Sequence, residues 1–296
     1  MTTSTILYHY GTFQPLWSQQ GLIQAGPQIK DSINGLSVPN PRVEAIISAL
    51  KHRDMPIKGV LLQYTDPFLI RSAPLRGLND WPGPRILACG DLHHGPDPIE
   101  TLVRYIGAEF HDGVLLTFNP ALLADVRRKI TVPVRALPPS FFRYPSTIPA
   151  KERRLQLLHV GSLGSHHPRR RKLVTELHSR ERVPFQHATT NSAEKAAALY
   201  AKYALVLNVP LNHDLNHRFF EVMACGVPQV VFGEPGLVGN NRTLAERPDV
   251  FWASSMEELE TLVLRLFAEP EKLRSIPVNP PSYWQIQNLI KEVLAP

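Results

Sequence analysis

The chain has 296 residues, 43% of them hydrophobic, which is enough to bury a large core in one or two domains. Its 32 basic and 26 acidic residues give a net charge of +6, which suits a phosphate-bearing partner without requiring nucleic acid. Both cysteines, Cys89 and Cys225, lie in apolar runs, which excludes a disulfide framework or a Cys-x-x-Cys metal site and favours a reducing, cytoplasmic compartment.

The sequence also bears on membrane association. Its first residues lack the basic and apolar regions of a secretion signal, and no run of about 18 uncharged apolar residues occurs. We therefore expect a cytoplasmic protein without a transmembrane segment, and peripheral contact with a membrane is compatible with the sequence.

The first half of the chain alternates short apolar runs with helix-like stretches. Because apolar runs bounded by turn residues are typical of buried parallel strands, this alternation predicts a doubly wound α/β domain over residues 1–140. The predicted strands are 5–10, 59–64, 85–89 and 113–118, and the predicted helices are 41–51 and 97–106.

The segment 136–150 contains four prolines, which predicts an interdomain connection. After it the alternation restarts and predicts a second α/β domain over residues 152–280. The predicted strands are 155–160, 183–188, 204–209, 227–232 and 250–253, and the predicted helices are 170–179, 192–203, 217–225 and 256–267. We expect a last helix, within residues 281–296, to pack back on the first domain.

One helix of the second half carries two charged residues of opposite sign. Arg218 and Glu221, three positions apart, share a helical face, and Asn216 or Asp214 can cap the start of that helix. Two interpretations fit this spacing. The pair is either a surface salt bridge on an ordinary helix or part of a ligand site at the carboxyl edge of the sheet.

The order of residues from Arg218 to Pro228, Arg-Phe-Phe-Glu-Val-Met-Ala-Cys-Gly-Val-Pro, resembles the C-terminal signature of GT-B glycosyltransferases. The resemblance is greatest to the spore-maturation-protein-like branch of the family-four type. It implies two Rossmann-like domains facing each other across a cleft, with the donor on the C-terminal domain and the acceptor on the N-terminal one. It also implies that Glu221 binds the ribose of a nucleoside diphosphate sugar, with Arg218 and Phe219 beside the donor.

The sequence departs from this family at one position. The family often carries a second glutamate eight residues before the first, and here that position is His213, followed by Asp214. Two interpretations fit equally well. In the first, His213 is a catalytic residue and Asp214 contacts the donor; in the second, both residues only shape the loop and cap the helix. The nearest relatives imply a retaining hexosyltransferase, but the missing glutamate leaves the donor sugar and the stereochemistry open.

Upstream, the predicted strand 155–160 is followed by Gly161 and Ser162. Four consecutive cations, 169–172, come after this turn. Backbone N–H groups at a helix start, together with arginine side chains, form an anion site. The run resembles the family's Val-Gly-Ser followed by Arg-x-x-Leu, which implies that Arg170 faces the donor diphosphate, with Arg169 or Arg171 as the fallback.

Other candidate residues follow further predicted strands. Asn208 and Thr189 lie where the resemblance places the donor sugar and the nucleobase, and Gly11 follows the first strand, where a glycine permits close approach of a ligand. Asp91 and His93 follow the third predicted strand and are candidates for the group that accepts the proton of the acceptor hydroxyl. Their alternative role is that of turn and polar loop residues.

We therefore expect a glycosyltransferase that moves a sugar from a nucleoside diphosphate sugar to a hydroxyl of a saccharide or lipid-linked glycan. It should need no cofactor and no metal, because the histidines lack zinc-helix spacing and basic groups can offset the leaving diphosphate. Two alternatives are a DNA glycosyltransferase acting on hydroxymethylated bases, suggested by basic runs at 127–129, 151–154 and 169–172, and a non-catalytic nucleotide-sugar-binding protein.

Overall fold

The computed structural model describes residues 5–11, 22–93, 95–136, 142–165, 167–211, 214–280 and 286–295. The chain forms two compact units, the first made of Met1–Arg143 with Tyr283–Pro296 and the second of Tyr144–Ser282. The division between them lies inside the proline-rich segment 136–150.

The first unit is built on a parallel β-sheet. Its strands are β1 (Thr5–Tyr8), β2 (Leu22–Gly26), β3 (Gly35–Ser37), β4 (Val60–Thr65), β5 (Arg85–Cys89), β6 (Gly113–Leu116) and β7 (Val134–Ala136). The seven strands lie in the order β3-β2-β1-β4-β5-β6-β7. Because the chain moves outward from β1 and then returns to β4, these two neighbouring strands form the topological switch point of the sheet.

Helices cover this sheet: α1 (Val43–Lys51), α2 (Pro67–Ser72), α3 (Pro98–Ala108) and α4 (Leu123–Arg127). Each of the longer helices presents an apolar stripe to the sheet, as amphipathic helices of α/β domains do. Ile46 and Leu50 of α1 and Leu102 of α3 are fully buried in a core shared with the strand residues Leu61 and Leu87.

The second unit is a smaller parallel sheet. Its strands are β8 (Arg154–Val160), β9 (Phe185–Ala188), β10 (Tyr203–Asn208), β11 (Gln229–Phe232) and β12 (Val250–Ala253). Its helices are α5 (Pro168–Arg180), α6 (Ala193–Tyr200), α7 (His217–Ala224), α8 (Arg242–Ala245), α9 (Met256–Ala268) and α10 (Pro270–Ser275). The strand order β12-β11-β10-β8-β9 makes β8 and β10 the neighbours at the switch point.

Both faces of this second sheet are buried. Successive residues of a strand point to opposite faces. Leu157 therefore packs in one core with Leu173 and Leu177 of α5, whereas Leu158 packs in the other with Val222 of α7. Helices on both faces of a parallel sheet make this unit doubly wound, as the alternating sequence pattern predicts.

The last helix, α11 (Ile286–Leu294), packs against β6 of the first unit. Val293 on this helix is fully buried, and a side chain at Gly113 of β6 would meet its Cγ1 atom at 2.3 Å. Glycine at position 113 therefore allows the helix to approach the strand closely.

The predicted fold class of two parallel α/β units is confirmed. The structure adds strands β2, β3 and β7 to the predicted first sheet. It also adds the short helices α2, α4, α8 and α10. In the described residues no helix has the length and apolar character needed to cross a membrane.

Candidate functional site

The carboxyl edge of the second sheet brings an arginine close to a glycine. Strand β8 is followed by Gly161, and helix α7 carries Arg218 in its first turn. A Cβ atom at position 161 would lie 2.2 Å from Nη2 of Arg218, closer than any real side chain can approach. Glycine is therefore required for Arg218 to lie at the end of β8.

A second arginine reaches the same edge from helix α5. Pro168 occupies the first turn of this helix, where its missing N–H costs nothing, and Arg170 follows. Arg170 is 7% exposed and donates from Nη2 to the carbonyl of Val209 over 3.2 Å, whereas Arg169 and Arg171 are exposed. Of the three candidates in this run, the structure therefore directs Arg170 to the carboxyl end of β10.

Gly161, Arg170 and Arg218 together form what we call the arginine site. Burial lowers the pKa of Arg170 to about 10, with the charge of Arg218 acting in the same direction and Asp214 opposing it. Arg170 remains charged at neutral pH. Two guanidinium groups close enough for the charge of Arg218 to lower the pKa of Arg170 form a local positive potential that favours an anion.

The guanidinium groups of the arginine site retain hydrogen-bonding capacity. Within the described part of the chain, Nε of Arg170 and both Nε and Nη1 of Arg218 are buried without a hydrogen-bond partner. Leaving a buried charged donor unpaired costs more than a typical hydrogen bond contributes. An anion with several oxygen atoms would satisfy these donors, and a diphosphate has that chemistry.

Glu221 lies one turn further along α7. The side chain of Asn216 caps this helix by accepting from the backbone N–H of Phe219 at 3.3 Å, which sets Arg218 and Glu221 on successive turns of one face. Glu221 is half-buried, and its Oε2 accepts a hydrogen bond from the hydroxyl of Tyr200 at 3.2 Å.

Burial raises the pKa of Glu221, while the positive charge of Arg218 and the hydrogen bond from Tyr200 oppose that rise. The carboxylate is thus held in a poorly hydrated place with one hydrogen bond from the protein to Oε2. Such a group is suited to accept hydrogen bonds from vicinal hydroxyls of a ligand.

Asn208 and Phe219 lie behind the arginine site rather than on its surface. Both are fully buried, and Phe219 packs edge-on against Phe220 with ring centroids 5.2 Å apart. Asn208 accepts from Asn216 at 2.9 Å and donates to Gln229, whose Nε2 donates to the carbonyl of Phe219 at 2.9 Å. The amide side chains of Asn208, Asn216 and Gln229 thus join α7 to β10 and β11. Asn208 and Phe219 therefore help to position the helix.

The remaining predicted donor contacts are spread along the same edge. Asp214 is buried and accepts from the backbone N–H of Leu211 at 2.6 Å, which fixes the turn before α7. Ser162 is exposed and accepts from the N–H of Gly164 at 3.1 Å, and Thr189 is exposed directly after β9. His213 lies outside the described residues.

The candidates of the first unit follow strands β1 and β5. Asp91 and His93 are half-buried, and their loop is held by the side chain of Asn119, which accepts from the N–H of Leu92 at 2.8 Å. Gly11 has a φ of +87° and donates its N–H to Nδ1 of His9 at 3.1 Å. The roles assigned to these residues stay predictions.

Sequence reasoning missed Tyr200 and His159. Tyr200 ends a helix of ordinary composition, so its contact with Glu221 becomes visible only when α6 and α7 pack together. His159 had a signal, because it interrupts the apolar strand β8 and histidine is rarely fully buried in such a run.

Comparisons with known proteins bear on the family and the fold. Residues 149–279 match the family model described as glycosyl transferase-like. No curated protein sequence matches the chain significantly.

Among solved structures, sucrose-phosphate synthase from Thermosynechococcus elongatus matches with a TM-score of 0.58 at 12% identity, covering 99% of each chain. HepE from Anabaena, solved in complex with UDP, matches with a TM-score of 0.58 at 12% identity, covering 99% of this chain and 96% of that one. The chain has the GT-B fold. Its second unit matches the glycosyl transferase-like family over nearly its whole length, and the predicted resemblance to GT-B glycosyltransferases is confirmed.

Proposed function

We propose that the protein transfers a hexosyl group from a nucleoside diphosphate sugar to a hydroxyl of a saccharide or lipid-linked glycan. The observation that carries this proposal is the arginine site. There Arg218 lies against Gly161 at the end of β8, Arg170 is close enough for its pKa to be lowered by the charge of Arg218, and both side chains have buried donors without partners in the described residues. Open α/β sheets bind ligands at this carboxyl edge, beside the switch point.

In this proposal the arginine site binds the diphosphate of the donor. As the glycosidic bond to the leaving phosphate breaks, negative charge grows on the diphosphate, and donors already aimed at it stabilise that charge. The charges of Arg170 and Arg218 supply this stabilisation without a metal ion.

Glu221 binds the ribose. It lies one helical turn from Arg218, so the two side chains can contact neighbouring parts of one nucleotide, the ribose and the diphosphate. HepE was solved with UDP, and in a further structure with UDP and glucose, which supports uridine nucleotides as the first donors to test.

The acceptor is assigned to the first unit. Asp91 and His93 follow β5 at the carboxyl edge of its sheet and are the proposed proton acceptors for the attacking hydroxyl. Replacement of Asp91 by asparagine should lower the rate of transfer roughly 100-fold or more while nucleotide affinity stays unchanged. Equal losses of rate and nucleotide affinity would contradict this role.

The proposal is tested by calorimetric titration with nucleoside diphosphates and their sugars. Glu221→Ala should weaken binding of the tightest nucleotide roughly 10- to 100-fold, because the ribose loses hydrogen bonds to a charged acceptor. Glu246→Ala, which removes an exposed glutamate of the same unit, is the matched control. Unchanged affinity in Glu221→Ala, or no binding of any nucleotide by the wild type, would overturn the proposal.

Among the described residues, the basic run 127–129 gives no specific support for DNA as the acceptor. In the run 127–129, Arg127 donates to the carbonyl of Val134, Arg128 pairs with Asp125, and Lys129 pairs with Glu100. The carboxylates beside Arg128 and Lys129 offset part of the positive charge that this exposed surface offers to phosphate. A gel shift with duplex DNA at low salt, compared with higher salt, distinguishes this alternative.

The non-catalytic alternative makes a different prediction for the same preparations. If the protein only binds nucleotide sugars, tight binding will occur with no release of nucleoside diphosphate, with or without candidate acceptors. If the wild type releases nucleoside diphosphate and Asp91→Asn does not, the protein is a transferase and the non-catalytic alternative is wrong.

A further inference from the structure

A buried histidine, His159, lies beside the arginine site near the carboxyl end of β8. It is fully buried, and its Nδ1 lies 3.0 Å from the carbonyl oxygen of Leu207 on the neighbouring strand β10. Because a carbonyl oxygen only accepts hydrogen bonds, Nδ1 must carry a proton. In the neutral ring, Nε2 therefore has a free lone pair and is an acceptor.

The surroundings keep the ring neutral. Burial holds the pKa of His159 well below its usual range, and the charges of Arg218 and Arg170 and the neighbouring His187 lower it further. Only the hydrogen bond to the carbonyl of Leu207 acts in the other direction. Nε2 is thus an acceptor at physiological pH.

This acceptor faces the arginine site. A Cβ atom at Gly161 would lie 3.4 Å from Nε2 of His159 and 2.2 Å from Nη2 of Arg218, so both groups converge on the bare face of the same glycine. Within the described residues, Nε2 of His159 and Nε and Nη1 of Arg218 are buried without hydrogen-bond partners. The acceptor and the donors that lack partners therefore belong to two side chains that approach the same glycine.

A second histidine fixes this arrangement. His187 on β9 stacks on His159 with ring centroids 5.8 Å apart, and its Nε2 lies 2.9 Å from the carbonyl oxygen of Gly161. The stacking restrains the plane of the His159 ring, and the hydrogen bond restrains the glycine. The position of Nε2 beside Gly161 is therefore restrained by contacts from the neighbouring strands β9 and β10.

We propose that His159 is a positioning residue that accepts a hydrogen bond from Arg218 at Nε2 when a nucleoside diphosphate is bound. The bond orients the guanidinium so that its other N–H groups face the phosphates. This inference rests on the proposed function. It goes further because it makes the neutral residue His159 responsible for part of the preference for a nucleoside diphosphate over the corresponding nucleoside.

Two substitutions isolate the Nε2 atom. His159→Gln keeps a polar amide near the place of Nε2, whereas His159→Phe keeps a flat ring without an acceptor, and both lose the bond to Leu207. The probes are UDP, ADP and GDP, each compared with its nucleoside by calorimetry, and the tightest pair is used. His178→Phe, which removes an exposed histidine from α5, is the control.

We expect His159→Phe to bind the diphosphate roughly 10-fold more weakly than His159→Gln, with nucleoside affinity alike in both. Equal diphosphate affinities in the two variants, with wild-type binding intact, would overturn the role of His159 but leave the proposed function standing. Absence of diphosphate binding by the wild type would remove both.

A measurement on the wild type covers the case in which a variant fails to fold. In spectra of protein labelled with ¹⁵N-histidine, Nε2 of His159 should remain unprotonated and shift toward the value of a hydrogen-bonded acceptor when the diphosphate is added. A resonance that does not move at saturating nucleotide, or one that becomes protonated, would contradict the inference.

Discussion

The hydroxyl of Tyr200 donates a hydrogen bond to Oε2 of Glu221 over 3.2 Å and so joins helix α6 to helix α7 beside the arginine site. Burial, and secondarily the negative charge of Glu221, raises the pKa of Tyr200, so the phenol stays protonated and remains a donor. This hydrogen bond restrains the carboxylate, and in the proposed function Oε1 is left to accept from the ribose.

Removing this hydroxyl should weaken nucleotide binding without unfolding the protein. In Tyr200→Phe we expect roughly 3- to 10-fold lower affinity for the nucleoside diphosphate, because one hydrogen bond no longer orients Glu221. Tyr203→Phe is the control, since that hydroxyl accepts from Arg154 at the other end of the sheet. Calorimetry showing equal affinity in both variants would refute the positioning role of Tyr200.

Glu221 itself should carry a cost in stability. Since burial raises its pKa in the folded protein, the charged form destabilises the fold above that pKa, and the cost disappears below the unfolded value of about 4.3. Glu221→Gln should therefore raise the melting temperature at pH 7 while it weakens nucleotide binding.

The gain from Glu221→Gln should shrink as the pH falls toward about 4, where the wild-type carboxyl is protonated in both states. Thermal unfolding followed between pH 4 and about 8 measures this dependence. A variant that is less stable than the wild type throughout this range would show that the carboxylate contributes net stability.

Arg170 should be distinguishable from its neighbours in the same basic run. Arg170→Gln should bind the nucleoside diphosphate roughly 10- to 100-fold more weakly, because a buried charge at the arginine site is lost. Arg171→Gln, with an exposed side chain one position along, should bind within about twofold of the wild type.

The pH dependence gives a second test of Arg170. Burial lowers its pKa to about 10, so the group is charged below that pH and loses its proton above it. The difference in affinity between the wild type and Arg170→Gln should therefore be constant near neutrality and narrow as the pH approaches about 10. A difference that persists unchanged at the highest pH would contradict the assignment.

Local patterns were sufficient to predict much of the second unit. Strand β12 begins and ends as predicted, and Asn216 rather than Asp214 caps α7, one of the two caps that the sequence allowed. Arg170 and Glu221 were predicted from two separate runs that resemble motifs of the family, and the residues of each run are close in sequence. The helix starts that carry them follow local signals, whereas their roles stay predictions.

Other features depend on contacts between distant segments and had no local signal. Strands β2 and β3 contain or border glycines, and Gly26 takes a position where a Cβ would lie 1.8 Å from the carbonyl oxygen of His9, so strand propensity is low there. The contacts of His159 with Leu207 and His187 arise from the register of β8 between β10 and β9. No pattern within β8 encodes that register.

The glycine of the arginine site gives the sharpest test of its geometry. In Gly161→Ala the new methyl group would occupy a point 2.2 Å from Nη2 of Arg218, so the guanidinium must move away from the end of β8. We expect diphosphate affinity to fall roughly 10-fold or more, since the donors are no longer preorganised, while nucleoside affinity through Glu221 is kept. Gly236→Ala, in the same unit, is the control, because nothing lies within 4 Å of its new methyl group. Equal diphosphate affinities in the two alanine variants would mean that Arg218 does not need the space above Gly161 to bind phosphate.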